Sequence, residues 1–322
     1  MTRLLTRRHL LSVLDPAECL AALEEGFRTA DTGPSAAGLR IRTELPFPGT
    51  ATALLPGVLP GAAVYTVKVN AKFPGAAPAL RGVVCLHSGR DGELLAVLDA
   101  ATLTAWRTGL AAALGTHLLA APDGAAGGFG VVGVVGAGAQ AELVLRGLDA
   151  VRGRSGLVVH DTDRGRAAAF AARHGGRRGG RVVESARAVA AEADVVVLAT
   201  WSRTPLLTAA DIRPGQHLTS LGADEPGKCE LAADLLRRAR VVVDDRELAA
   251  AAGALGAVGL PAGTAAATLG EIVRGVRPGR TAADDITVYA PVGLPWQDLA
   301  LALPAYERAR DLGIGLSVDF LS

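Results

Sequence analysis

The sequence predicts an α/β protein: a doubly wound parallel sheet in the C-terminal part, preceded by a smaller α+β region. Three observations carry this. Beyond residue 129 short apolar strands alternate with helical stretches, the pattern of a parallel sheet covered on both faces. Between residues 40 and 98 short strands are divided by Gly and Pro instead. A glycine-rich strand–turn–helix stands where the style changes, at 130–141.

The elements follow in order. Asp15-Pro16-Ala17-Glu18 reads as a helix start, with Asp as cap, Pro in the first turn and Glu18 placed to return the cap; Leu20, Leu23 and Phe27 form the apolar stripe. Arg81–His87 and Glu93–Leu98 flank Ser88-Gly89-Arg90-Asp91-Gly92, a hairpin signal. Asp99 caps a long helix to Leu119 that carries Arg107 and Thr108, and the Gly/Ala/Pro-rich Ala121–Gly128 reads as a boundary. Strands are expected at Gly130–Val135, Gly156–His160, Asp194–Ala199, His217–Leu221 and Arg240–Val243, with a last one at Ile286–Tyr289 and a closing helix at Gln297–Leu312.

Composition excludes several classes. The 322 residues are long for one domain and comfortable for two. Lys+Arg 33 against Asp+Glu 32 gives a net charge of +1, which argues against bulk electrostatic binding to nucleic acid or to a membrane surface. No apolar run is long enough to span a bilayer, and the first residues lack the pattern of a secretory leader. Cys19, Cys85 and Cys229 form no CxxC and no even framework, which fits a reduced, cytoplasmic setting. The six histidines show no metal spacing and no G-x-S-x-G occurs.

The sharpest motif is Gly136-Ala137-Gly138-Ala139-Gln140-Ala141, a GxGxxA directly after the strand Gly130–Val135. Its first Gly permits a tight turn, its second lets the backbone approach a pyrophosphate, and its small third position lets helix and strand pack closely. About 20 residues on, such a Rossmann-type unit needs an acid for the ribose hydroxyls. Asp161, after Val158-Val159-His160, stands there and favours NAD(H); Arg164 nearby keeps NADP(H) open.

A residue census adds a second signal. Only three of the 33 basic residues are lysine (Lys68, Lys72, Lys228), and Asn70 is the single asparagine. A GC-rich coding sequence replaces Lys by Arg wherever chemistry permits, so a surviving Lys marks a place for a compact ammonium. Lys68, Asn70 and Lys72 alternate, so on a strand they share a face. Arg42, Lys68 and Arg107 together suit a carboxylate substrate. Asp224 follows a predicted parallel strand, on the side where such sheets bind ligands, and is a candidate for proton transfer.

These segments resemble the ornithine cyclodeaminase / mu-crystallin family almost from end to end. The resemblance is carried by Val67-Lys68-Val69-Asn70-Ala71-Lys72-Phe73-Pro74-Gly75, Thr104-Ala105-Trp106-Arg107-Thr108, the glycine loop, Asp161-Thr162-Asp163, Gly222–Leu231, Leu269–Val273 and Asp285–Tyr289. It implies a substrate-binding and dimerisation domain (residues 1–120 with 299–322) and a dinucleotide-binding domain (121–298), assembled as a homodimer. It implies an NAD(P)-dependent oxidoreductase acting on the C–N bond of a small α-amino or α-imino acid. The alternatives are an amino-acid cyclodeaminase that recycles its NAD, and a non-catalytic dinucleotide carrier. By the same resemblance Arg42, Lys68 and Arg107 bind the substrate carboxylate, with Lys68 also catalytic, and Asp224 moves the proton. Thr108, Gly136, Gly138, Ala139 and Gln140 serve the cofactor phosphates, Asp161 the ribose, and Thr200 and Val292 line the cofactor pocket. Ornithine-using members have a Glu where this chain has Ala53, which argues against ornithine. Trp201 and Trp296 suggest a reshaped apolar pocket.

Overall fold

The structure, a computed structural model, describes residues 1–30, 39–46, 49–73, 76, 78–121, 127–176, 179–225, 227–320 and 322. Most of the boundary expected at Ala121–Gly128, Pro74 and Gly75 of the lysine segment, and Pro226 of the Asp224 loop lie outside these residues. The chain forms two compact units, Met1–Thr108 with Leu294–Ser322, and Gly109–Gly293.

The first unit opens with β1 (Thr2–Leu5), α1 (Arg7–Val13), α2 (Pro16–Thr29), β2 (Leu39–Glu44), β3 (Thr50–Gly57), β4 (Val64–Lys72), β5 (Leu80–Ser88), β6 (Leu94–Asp99) and the start of α3 (Ala100–Leu119). The second unit takes the rest of α3, then β7 (Val131–Val135), α4 (Ala139–Val151), β8 (Gly156–His160), α5 (Arg164–His174), β9 (Gly180–Val182), α6 (Ala186–Glu192) and β10 (Val195–Leu198). It continues with β11 (His217–Ser220), α7 (Ala233–Arg238), β12 (Arg240–Val243), α8 (Arg246–Ala252), α9 (Ala254–Ala257), β13 (Ala265–Thr268), α10 (Leu269–Val273) and β14 (Thr287–Tyr289). The chain returns to the first unit as α11 (Pro295–Asp311) and β15 (Leu316–Val318).

The first unit is a sheet of order β15-β1-β6-β5-β4-β3-β2, antiparallel except for the β1/β6 pair. Alternation along β4 gives it two different faces. Thr66, Lys68 and Asn70 point inward with Val84 and Leu86 of β5 and are buried; α11 packs against β3, β4 and β5. On the outward face Ile41, Ala53, Val69 and Val83 form one cross-strand row, and Ile41, Val69 and Val83 are 49 %, 53 % and 41 % exposed. Ala53 belongs to that outer row, on the face opposite Lys68. It therefore gives no information about an amine bound beside Lys68, and the expectation drawn from it is corrected.

Asp15 caps α2 as expected, accepting from the N–H groups of Ala17 and Glu18. Glu18 does not return the cap but pairs with Arg308 of α11 at 2.8 Å, a cation that competes better for its carboxylate than one backbone N–H. Four strands escaped the sequence reading: β1 at the start, β9 and β13 of the second unit, and β15, which pairs antiparallel with β1 after the strand expected to be last. All four are three or four residues long, too short to show an alternation.

The second unit is an eight-stranded sheet of order β13-β12-β14-β11-β10-β7-β8-β9, with every pairing parallel. The chain runs outward from β7 through β8 and β9, then restarts on the other side of β7 at β10. The switch point of a doubly wound sheet therefore lies between β7 and β10. The C-terminal end of α3 is capped by cations, as its dipole favours. Arg152 donates to the carbonyls of His117 and Ala120, and Arg280 to that of Leu119.

A buried polar chain ties α3 to this sheet. Thr116 Oγ1 donates to the Ala112 carbonyl (2.8 Å), which leaves it to accept from Thr219 Oγ1 (2.7 Å). Thr219 in turn lies 2.9 Å from His217 Nε2, and Thr287 Oγ1 lies 2.9 Å from His217 Nδ1. Burial, with repulsion from Arg280 and Arg152 added, pushes His217 down to about 3, so the ring is neutral at ordinary pH. The unfolded imidazole takes up a proton near its ordinary value and the folded one does not. This group thus removes stability as pH falls from about 6.5 toward 3, at about 1.4 kcal/mol per pH unit. Urea denaturation of wild type and His217→Gln at pH 7, 6 and 5 should show a steeper acid-side loss in wild type; equal slopes would contradict the assignment.

Candidate active site

At the carboxyl end of β7 the chain turns through Gly136, whose φ of +93° suits glycine, and whose Cβ would stand 2.5 Å from the Ala199 carbonyl oxygen. Gly138 then caps α4 without a side chain, and a Cβ built on it would meet nothing within 4 Å. The N–H groups of the first turn of α4, which includes Ala139 and Gln140, thus face space with the positive end of a helix dipole behind them. That cradle fits the pyrophosphate of a dinucleotide. It opens on a cavity of about 470 Å³ whose lining includes Gly136, Gly138, Asp161, Arg166, Thr200 and Trp201.

Asp161 is held from both sides. Its Oδ2 accepts from Ala137 N (2.8 Å) and Arg166 Nε (3.0 Å), and its Oδ1 from Asp163 N (2.9 Å) and Arg166 Nη2 (2.7 Å). Burial alone would raise this carboxyl, but Arg166 and the two backbone N–H groups outweigh it and hold it down to about 2. Asp161 is therefore ionised at any working pH. Arg164, the cation expected at this place, pairs instead with Glu184 at 2.6 Å, on the exposed surface. Asp163 caps α5, accepting from Arg166 N, and the first turn of that helix carries Arg166 back over Asp161.

Two buried carboxylates shape the neighbouring loops. Glu230 accepts from Thr200 N and Oγ1 (2.7 Å each), Ser220 Oγ (2.7 Å) and Gly222 N (2.8 Å). Burial pushes its carboxyl up from the ordinary range while these four donors oppose the rise. It fixes Thr200 after β10 and the start of the Asp224 loop after β11. Asp244, after β12, accepts from the N–H groups of Val292 and Gly293 and so fixes Val292, which is buried. Asp224 is partly exposed and pairs with Lys228 at 3.0 Å. Lys228 also pairs with Glu225 at 3.0 Å and sits 4.2 Å above the ring of Trp201. Asp224 and Val292 do not line the cavity of the glycine loop.

In the first unit Lys68 Nζ donates to both oxygens of Asp298, at 3.0 Å each, and both side chains are almost wholly buried. Arg107 Nε lies 3.8 Å from Asp298, and Arg107 Nη1 donates to Gln297 Oε1 at 3.3 Å. Register places Arg42 on the face of Lys68, where it donates to Thr50 Oγ1 at 3.1 Å. Thr108 Oγ1 is buried without a hydrogen-bond partner among the described residues. Trp296 packs edge-on to Phe27 and against Gly26, as a core residue of this unit, whereas Trp201 is exposed at the cavity.

Sequence reasoning missed Arg166, Glu230 and Asp298. For Asp298 a signal existed: a lysine on an apolar strand face needs a carboxylate, and Asp298 directly precedes the apolar run 299–305. Glu230, between Cys229 and Leu231, is likewise an acid inside an apolar run.

The model of the Ornithine cyclodeaminase/mu-crystallin family matches residues 2–313. Alanine dehydrogenase of Archaeoglobus fulgidus is 31 % identical over 329 residues, covering 99 % of this chain and 98 % of that protein. An archaeal alanine dehydrogenase dimer with bound NAD superposes with a TM-score of 0.89 at 30 % identity, covering 99 % of each chain. The Δ1-pyrroline-2-carboxylate reductase of Thermococcus litoralis, solved with NADH and L-proline, does so with a TM-score of 0.89 at 28 % identity, covering 98 % of this chain and all of the other. The chain belongs to the ornithine cyclodeaminase/mu-crystallin family.

Proposed function

We propose that the protein is an NAD(P)-dependent oxidoreductase acting on the C–N bond of a small α-amino or α-imino acid. The observation that carries this is one chain holding both a dinucleotide cradle with an ionised Asp161 and a buried Lys68–Asp298–Arg107 cluster. A bound nicotinamide dinucleotide supplies or accepts the hydride. Reduction of an α-imino acid adds that hydride to Cα and a proton to nitrogen; the reverse reaction removes both, and hydrolysis of the imine then yields a 2-oxo acid and ammonia. Lys68, Arg107 and Arg42 hold the substrate carboxylate. Lys68 also donates to the reacting end, its ammonium paired with Asp298. Asp224 moves the nitrogen proton. The glycine loop, Ala139, Gln140 and Thr108 hold the phosphates, Asp161 the ribose, and Thr200 and Val292 shape the nicotinamide side.

The test is NADH absorbance across a panel of cyclic imino acids, 2-oxo acids with ammonia or methylamine, and amino acids with NAD, with ammonia measured alongside. Net NADH change with one member is expected. Ammonia released from a diamino acid without net NADH change would replace this reading by cyclodeamination. Lys68→Ala should abolish turnover, keep dinucleotide affinity, and cost about 3–5 kcal/mol of stability because Asp298 is left buried and unpaired. Lys68→Met with Asp298→Asn should recover stability but not activity.

Cofactor choice follows from the Asp161–Arg166 pair. Asp161 favours a free 2′-hydroxyl, and Arg166, half exposed at the cavity, can leave it for a 2′-phosphate. Arg166→Ala should therefore lower kcat/KM with NADPH at least tenfold while changing that with NADH less than threefold. An equal effect on both would show that Arg166 does not discriminate.

We further propose a homodimer built on the outward face of the β2–β5 sheet, whose exposed row of Ile41, Val69 and Val83 is unusual for a surface open to water. Val69→Asp with Val83→Arg should give a monomer by sedimentation velocity at concentrations where wild type is dimeric. The three cysteines are free thiols, which supports a cytoplasmic setting.

A further inference from the structure

We infer that Gln297 is a specificity-determining ligand of the substrate carboxylate, an inference that rests on the reading above that Lys68 and Arg107 hold that group. Gln297 is the third residue of α11 and 1 % exposed. Its Oε1 accepts from Leu294 N and from Arg107 Nη1, both at 3.3 Å. Both partners are donors, so the carboxamide has one orientation, and its NH2 points the other way. That Nε2 is buried with no acceptor among the described residues, and so are Arg107 Nε and Trp296 Nε1. Two of these donors, Gln297 Nε2 and Arg107 Nε, belong to side chains that touch each other, whereas Trp296 packs against Phe27 and Gly26. The nearby acceptor, Asp298, already has both oxygens on Lys68.

Buried donors are rarely left unmade in native proteins, and an acceptor-only anion is the group that would satisfy several at once. The cap itself does not explain the residue. At this helix position Glu caps as well as Gln and suits the helix dipole better. What Gln has and Glu lacks is the donor. As a neutral donor it adds hydrogen bonds to a carboxylate without adding charge to the Lys68–Arg107 pair.

The experiment is calorimetric titration of the NADH-loaded protein with L-proline and L-alanine, which cannot react because the reduced cofactor has no hydride acceptor in an amino acid. Wild type, Gln297→Glu and Gln297→Met are compared, with NADH affinity and Tm measured for each. Binding weakened at least tenfold in both variants, more in Gln297→Glu, with NADH affinity within twofold, is the expected result. Wild-type affinity in Gln297→Glu would make Gln297 a helix cap only and overturn the inference while leaving the proposed function standing. Wild-type affinity in Gln297→Met alone would assign the loss to added charge and also overturn it. If wild type binds neither acid, the proposed function fails and this inference with it.

Discussion

A carboxylate removed from water has to be met by donors or cations, because leaving it bare costs several kcal/mol, a large part of a domain's net stability. That constraint organises both units of this chain. Asp298 is met by Lys68, Glu230 by Thr200, Ser220 and Gly222, and Asp244 by Val292 and Gly293. In each case the acid is satisfied by side chains or backbone groups of its own unit. The loops after β10, β11 and β12 that would otherwise be free to choose among conformations are held in one by buried acids.

The same acids set the charge the protein presents. Two basic side chains, Lys68 and Arg107, stand beside the single carboxyl group of Asp298. On the proposed function a substrate carboxylate supplies the second acid. At the nucleotide end Arg166 cancels Asp161 in the same manner, yet leaves the aspartate ionised and pinned to the glycine loop through Ala137 N. Of the two places only the Asp161–Arg166 pair is balanced in itself.

Much of this was legible in the residues. The glycine loop, the strand before it and Asp161 are local and follow from turn geometry and spacing, and β7 and β8 lie where alternation and apolar runs predict them. The inward row of Lys68 and Asn70 is equally local. What sequence does not carry is phase between distant segments. By resemblance Ala53 stands at a substrate position, but β3 pairs with β4 so that Ala53 opposes Val69, and pairing register is set by both strands together. Arg166 rather than Arg164 reaches Asp161 because Asp163 starts α5 and the first helical turn decides which side chain returns. Asp298 lies 230 positions from its lysine, beyond any local pattern.

The scarcity of lysine acquires a physical account once the partners are known. Lys68 is wedged between the two oxygens of Asp298 at equal distances, with almost no exposed surface. A guanidinium is planar and larger, and could not place a single point charge there without opening the core. Lys228 stands in a similar position, 3.0 Å from both Asp224 and Glu225 and over the Trp201 ring. An arginine would stack on that ring as a plane instead of dividing one charge between two carboxylates. Two of the three lysines that survive a bias toward arginine are thus compact ammonium groups shared by carboxylate oxygens. The bias worked as a filter, and what passed it was a requirement of geometry.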